Sequence, residues 1–311
     1  MPKNNAHTEP VTFQIGGCII GGRRGEYPTA IMLSIFHQGD RIVTNHKTGV
    51  FDKTRARRYL NRALKLSTTT GNPLILDILA ETPQAMENYL TFIAEAAPTT
   101  PFLIDSASYE TRLAGVKYIA ETDRAKLAIY DSISPKTTDE ELDTLRTAKI
   151  ESAVILAHNP TILEPNGRLQ VLNGTSNQEG LLAKAKRANI TKPLVDTVAL
   201  DLAGLSIAAA AMPIVKHELG LPVGAGSANS VSLWKRGRKI SPAAKRYLAP
   251  ALCTYLQCCG ANFILPGPLR RAPRFFTAIS VTDALLAYAS PNEDFPPPPP
   301  KTKNHPRYTV L

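Results

Sequence analysis

The stretch Gly71-Asn72-Pro73-Leu74-Ile75-Leu76-Asp77-Ile78-Leu79-Ala80-Glu81-Thr82-Pro83 decides the fold. Gly71 is placed to stop a preceding helix, because glycine readily enters the left-handed conformation that closes a helix C-terminus. Leu74–Leu79 is a near-continuous apolar run broken by one acid, the pattern of a parallel strand covered on both faces. Thr82-Pro83 then supplies an N-cap followed by proline at the first helical position. Helix stop, buried strand with an acid near its end, loop and helix start together make one β/α unit.

The unit recurs in both directions along the chain. Apolar runs fall at Ala30–Phe36, Pro101–Asp105, Leu127–Ile133, Ser152–Ala157, Pro193–Val198, Leu221–Ala225 and Asn262–Leu265. Helix starts fall at Asp52, Ser108, Thr138-Asp139-Glu140-Glu141, Ser241-Pro242 and Ala272-Pro273, and Ala203–Leu219 is rich in small residues suited to close packing on a sheet. Eight strands alternating with helices over about 260 residues predict an α/β fold of the (β/α)8 TIM-barrel type, with a doubly wound sheet as the alternative.

The flanks read differently. Residues 1–12 are taken as a flexible N-terminus, 13–290 as a single barrel domain and 291–311 as a flexible, disordered Pro-rich tail, with five prolines from Pro296 to Pro300. Phe13–Pro28 carries Gly16-Gly17 and Gly21-Gly22; no helix follows at once, so a hairpin closing the barrel bottom is expected rather than a dinucleotide-binding loop.

Composition narrows the function classes. With 43% hydrophobic and 20% charged residues in 311, the chain has the make-up of a water-soluble globular protein, and its N-terminus lacks an apolar signal-type segment. No membrane-spanning helix and a cytoplasmic location are expected. The four cysteines suit a reducing compartment better than a disulfide framework. Net charge is +10, and from Ala203 onward there are 13 Lys/Arg against 4 Asp/Glu. The basic surface is therefore local, including Lys235, Arg236, Arg238, Lys239, Lys245, Arg246, Arg270, Arg271 and Arg274, and it attracts anionic partners or phosphate-bearing ligands. Nucleic acid is not expected, because neither its binding motifs nor interleaved aromatics accompany the charge.

Barrel chemistry sits where the strand C-termini converge. The polar residues there are Asp77, Asp105-Ser106, Asp131-Ser132, His158-Asn159, Asp196-Thr197 and Gly224–Asn229. One such acid serves equally well as a helix cap; four strands of eight ending in Asp favour a carboxylate-lined cup. Carboxylates with amides suit a flat heterocycle bearing an amino-pyrimidinone edge, because Asp accepts from two adjacent ring donors while Asn both donates and accepts. A reduced pterin has that edge. A metal is the rival occupant, but the acids lie on separate strands without a dense His/Cys set, so no bound metal is expected.

Several segments carry a family resemblance: Phe36 through Lys53, Gly71–Asp77, Phe102-Leu103-Ile104-Asp105-Ser106, Tyr130-Asp131-Ser132-Ile133, Asn159-Pro160, Lys192–Thr197 and Gly220–Gly224. Over Phe13 to Ala289 the chain resembles the H-subunit family of tetrahydromethanopterin S-methyltransferase, among the pterin-binding methyltransferases that serve corrinoid proteins. The resemblance implies transfer of a methyl group from methyl-tetrahydromethanopterin, or methyl-tetrahydrofolate, to the cobalt of a corrinoid on a partner protein. It implies that Asp105 and Asp196 hold the pterin with Asp77 and Asn159 nearby, and that Asn229 hydrogen-bonds near the methylated nitrogen. It further implies a homodimer and other subunits of a membrane-associated complex, which would place the chain peripherally at a membrane. Asp131 stands where the family pattern has Asn; an added carboxylate there raises a neighbour's pKa or supplies a proton. None of the six histidines has Asp two positions before it, so the corrinoid is expected on the partner. Lys235 and Arg236, shortly after Asn229, are the expected contacts for an anionic tail or for the partner. The alternatives are a noncatalytic barrel subunit that assembles a complex, or an enzyme like dihydropteroate synthase.

Overall fold

Eight parallel strands close into a ring in strict chain order, each hydrogen-bonded to its sequence neighbours and the last to the first. They are β1 (Ala30–Ile35), β2 (Leu74–Leu79), β3 (Phe102–Asp105), β4 (Ala128–Ile133), β5 (Ser152–Leu156), β6 (Lys192–Asp196), β7 (Val223–Gly226) and β8 (Phe263–Pro268). The computed structural model describes residues 8–232, 234, 240–289 and 297–310. The (β/α)8 barrel expected from the sequence is the one observed, and its eight strands fall on the eight apolar runs.

The helices begin where their capping residues sit. Asp52, Thr82, Ser108 and Ser241 each accept a backbone N–H three residues on, and Thr138 with Glu141 forms a reciprocal capping box. Gly71, at φ 82°, closes the helix Lys53–Thr70 in the left-handed region. Helix Leu202–Leu219 is long and apolar enough to pass a membrane-span test by length and composition, yet it lies in the outer ring with Leu205, Ala208, Ala209, Met212 and Val215 buried.

Side-chain alternation along the strands builds the barrel interior in layers. Ala30, Met32, Ile75, Leu103, Ile129, Val154, Leu194 and Phe263 form one buried cluster inside the ring. Two residues beyond Ile75, Leu103, Ile129 and Leu194 stand Asp77, Asp105, Asp131 and Asp196, on the same inward face one layer higher. Below, the hairpin of Thr12–Ile15 with Cys18–Gly21 inserts Ile15, Cys18 and Ile20 into the same cluster. Its turn residue Gly16, at φ 55°, lies so close to Leu127 and Pro101 that a Cβ there would clash with Leu127. The hairpin closes the bottom, as its sequence position implied.

Two features go beyond what the sequence was read to show. The loop after β1 is not plain: Val43–Asn45 pairs with Val50–Phe51, and Phe51 packs with Phe36, Tyr89 and Phe92, the Phe36 and Tyr89 rings stacking 4.0 Å apart. The flexible tail expected over 291–311 is corrected for 297–310. Pro297 and His305 are buried, Lys301 N–H donates to the Glu26 carbonyl, Arg307 reaches the Ala287 carbonyl and lies over Tyr288, and Thr309 donates to the Thr70 carbonyl. The missing side chain of Gly71 makes this possible, since the Asn304 carbonyl occupies the space a Cβ would fill. Low-complexity composition reveals nothing of such docking, which depends on a receiving surface assembled from distant residues.

Candidate functional site

One cavity of about 1150 Å³ opens at the C-terminal end of the strands. Asp77, Asp105 and Asp196 line it together with Met32, Ser34 and His37 from the end of β1, and Asn229 from the short helix Ala228–Ser232. Asp131 adjoins them: an oxygen from each of Asp77, Asp105 and Asp131 lies within 4.8 Å of the other two. The ladder explains this, since Asp105 is the direct register partner of Asp131 and Asp77 is level with Ser34.

Three carboxylates so close, Asp77 buried and Asp105 and Asp131 half-buried, cannot all ionise cheaply. Burial raises all three well above the usual carboxylate range; Asp131 adds to the rise at Asp77, Asp77 to that at Asp105, and Asp105 and Asp196 to that at Asp131. Burial pushes Asp196 up to about 6, against the opposing hydrogen bond from the Val198 N–H at 2.7 Å. The Oδ1 of Asp77, a residue 6% exposed, has no hydrogen-bond partner among the described residues. Such an oxygen calls for a proton or a ligand donor. The spacing also admits a hard divalent cation, the rival occupant set aside in the sequence because its acids lie on separate strands.

Two buried guanidiniums brace the cup. Arg112 donates to the Ser106 carbonyl at 2.6 Å, to the Tyr130 hydroxyl at 2.9 Å and to Glu141 at 2.7 Å, and Tyr130 also donates to Glu141. Its charge opposes the rise at Asp105 and Asp131 without outweighing burial. Arg168 ties the loops after β5 and β6 together through the carbonyls of Leu163 and Thr197. Sequence reading missed both, because each sits within a helix with nothing local to mark it.

His37, also missed, is held beside Asp40 at 3.7 Å, while Asp40 accepts the Phe36 N–H. Burial lowers its pKa, Asp40 opposes, and Arg270 and Arg271 add to the fall, which favours the neutral imidazole. The signal available was a histidine at a strand end.

Of the residues expected at the site, Asp77, Asp105, Asp131 and Asp196 stand together and Asn229 shares their cavity. Asn159 does not line the cavity: its Oδ1 accepts from Thr161 N–H, Thr161 hydroxyl and Ile162 N–H, and its amide donates to Gln170, so it shapes the loop after β5. Lys235 and Arg236 lie outside the described residues. The cavity wall is instead basic through Arg62, Lys245, Arg246, Arg270, Arg271 and Arg274, of which all but Arg62 belong to the sequence's basic third.

Comparison with known proteins bears on what this cavity serves. A family model described as the tetrahydromethanopterin S-methyltransferase MtrH subunit matches residues 8–295. The tetrahydromethanopterin S-methyltransferase H-subunit of Methanosarcina acetivorans is 35% identical over 283 residues, covering 88% of this chain and 90% of its own. Its counterpart from Methanothermobacter thermautotrophicus is 32% identical over 311 residues, covering 97% and 98%. Among solved structures, dihydropteroate synthase from Stenotrophomonas maltophilia superposes with a TM-score of 0.61 at 16% identity, covering 90% of this chain and 100% of that one. The Coxiella burnetii dihydropteroate synthase in complex with pteroic acid gives 0.60 at 17%, covering 88% and 98%. At such identities these structures share the fold alone.

Proposed function

Because the chain belongs to the MtrH family of tetrahydromethanopterin S-methyltransferase subunits, we propose that it moves a methyl group from methyl-tetrahydromethanopterin, or methyl-tetrahydrofolate, to the cobalt of a corrinoid carried by a partner protein. Family membership makes it a methyltransferase with a tetrahydromethanopterin-type donor; the acceptor, the partner and the residue roles are our reading. The observation that carries it is the trio of crowded carboxylates at the barrel mouth, with an unpartnered oxygen on the buried Asp77 among the described residues.

An amino-pyrimidinone edge presents adjacent N–H donors, and Asp105 and Asp196 accept them, with Asp77 beside them. Each bond formed there satisfies a carboxylate that is otherwise buried and costly. The methyl group sits on a tertiary amine, and it departs as the carbon–nitrogen pair stays on nitrogen. That nitrogen leaves as a neutral amine only if a proton reaches it. Burial and mutual repulsion favour the protonated form of Asp131 and its neighbours, which makes them the source of that proton, and Asn229 hydrogen-bonds near the methylated nitrogen and steadies its protonated form. The electron pair for the new carbon–cobalt bond comes from the reduced cobalt of the acceptor, so charge balances without an added oxidant or reductant.

The partner brings the corrinoid to the open end of the barrel, in a complex with other subunits, with a second copy of this chain forming a homodimer. The test mixes purified protein, methylated pterin and reduced cobalamin and follows cobalt methylation by its absorbance. Protein-dependent methylcobalamin formation is expected. No transfer from either the methanopterin or the folate donor would favour a noncatalytic assembly subunit instead.

A further inference from the structure

Six cations, Arg62, Lys245, Arg246, Arg270, Arg271 and Arg274, line the cavity whose floor is acidic, and none has an acid within ion-pair distance among the described residues. Several arginines elsewhere meet acids, Arg146 with Asp143, Arg187 with Asp139 and Glu179, and Arg23 with Glu9, so six unpaired cations on one cavity wall stand out by their clustering. The buried Nε of Arg270 has no hydrogen-bond acceptor among the described residues. Burial depresses the pKa of Arg271, and the charges of Arg270 and Arg274, which line the same cavity, depress it further. They sit on the turn after β8 and the first turn of helix Ala272–Leu286, whose N-terminus has no side-chain cap, and the helix bearing Arg62 packs against that turn. Uncapped helix N–H groups, a helix dipole and convergent guanidiniums are what a phosphate ester needs. The cavity also exceeds the roughly 300–1,000 Å³ of ordinary small-molecule sites, so a bicyclic ring on its floor leaves room for a long side chain.

We propose that Arg270, Arg271 and Arg274, with Arg62, form a phosphate-ester site in the wall of this cavity. It rests on the proposed function only for what the phosphate belongs to, namely the side chain of the donor whose ring lies on the acid floor. A donor carrying a phosphodiester in its tail is then favoured over one ending in carboxylates, because a guanidinium fork matches tetrahedral oxygens on several sides at once.

Calorimetric titration at low salt tests this with two separate probes, inorganic phosphate and a tail-less tetrahydropterin, on wild-type protein and on the Arg270→Ala/Arg271→Ala double variant. Phosphate binding at least about tenfold weaker in the variant, with pterin-head affinity unchanged and partial rescue by the Lys/Lys pair, is the expected result. Equal phosphate binding by both proteins, or none by the wild type, overturns the site and leaves the wall to some other partner, such as an acidic protein surface. Phosphate bound and lost as expected, with no pterin binding, upholds the anion site and sinks the pterin reading instead. Arg274→Ala, at an exposed position, gives the same readout if the double variant does not fold.

Discussion

Asp77 and Asp283 are the same residue with nearly the same burial, 6% and 5% exposed, and opposite surroundings. Asp283, on the helix that follows β8, accepts from Thr29 N–H at 2.8 Å, Thr29 hydroxyl at 2.7 Å, Asn72 amide at 2.6 Å and Gln257 amide at 2.7 Å. Asp77, at the mouth, faces other acids and keeps an unpartnered oxygen. A carboxylate surrounded by donors ties together the start of β1, the approach to β2 and the last two helices of the barrel. One set among acids weakens the fold and is held ready for something that arrives from outside. The difference separates structural from functional polarity more sharply than burial does.

That contrast can be broken first through activity. Asp105→Asn and Asp77→Asn should each lower methyl transfer by about 100-fold or more, since each replaces a carboxyl oxygen that can accept from the ring's N–H groups by an amide that cannot ionise to meet them. Asp283→Asn should leave the rate of the folded protein within a few-fold. Steady-state kinetics well below the melting temperature decides this, and similar losses for all three variants would erase the distinction.

Stability should run the other way. Asp283→Asn turns an amide toward a ring of donors and should cost about 2–4 kcal/mol, whereas Asp77→Asn puts a permanently neutral group where burial and neighbouring acids disfavour a carboxylate and should be neutral or gain about 1–2 kcal/mol. Denaturant unfolding measures both. A third and smaller effect lies in pH. The folded pKa of Asp196 and of Asp283 is about 6, above the unfolded value, so the folded state binds more protons between roughly pH 4 and 6. These two groups therefore contribute stability at low pH that is lost as pH rises through that window. Asp196→Asn should flatten this part of the stability profile, and an unchanged slope would show that its burial is not the cause. Smallest of all, millimolar magnesium or calcium should shift the melting temperature by less than about 1 °C if protons rather than a cation neutralise Asp77, Asp105 and Asp131.

Legibility in the sequence followed the range of the interactions. The strands could be read because covered parallel strands are apolar along their whole length, and the acids could be placed at one end because alternation carries Ile75 to Asp77 and Leu103 to Asp105 on one face. Helix starts were legible because a cap acts within three residues. What brought the four acids to one place was closure of the ring, which no local pattern encodes. Arg112 and Arg168 escaped notice because their partners lie up to 30 residues away, on another strand, another helix and other loops. Asn159 was read by position at a strand end, but its carbonyl oxygen is engaged within three residues by the loop it begins. The tail from 297 was read by composition, while its order comes from Gly71, Ala287 and Thr70, far away in the chain.

The most direct test is a calorimetric titration of a tetrahydropterin head group into wild-type, Asp105→Asn and Asp283→Asn proteins below their melting temperatures. An acid floor built for a ligand predicts binding to the wild type, retention within about threefold in Asp283→Asn, and a loss of about 100-fold in Asp105→Asn. Wild-type affinity in Asp105→Asn, or no binding to the wild type at all, would contradict it.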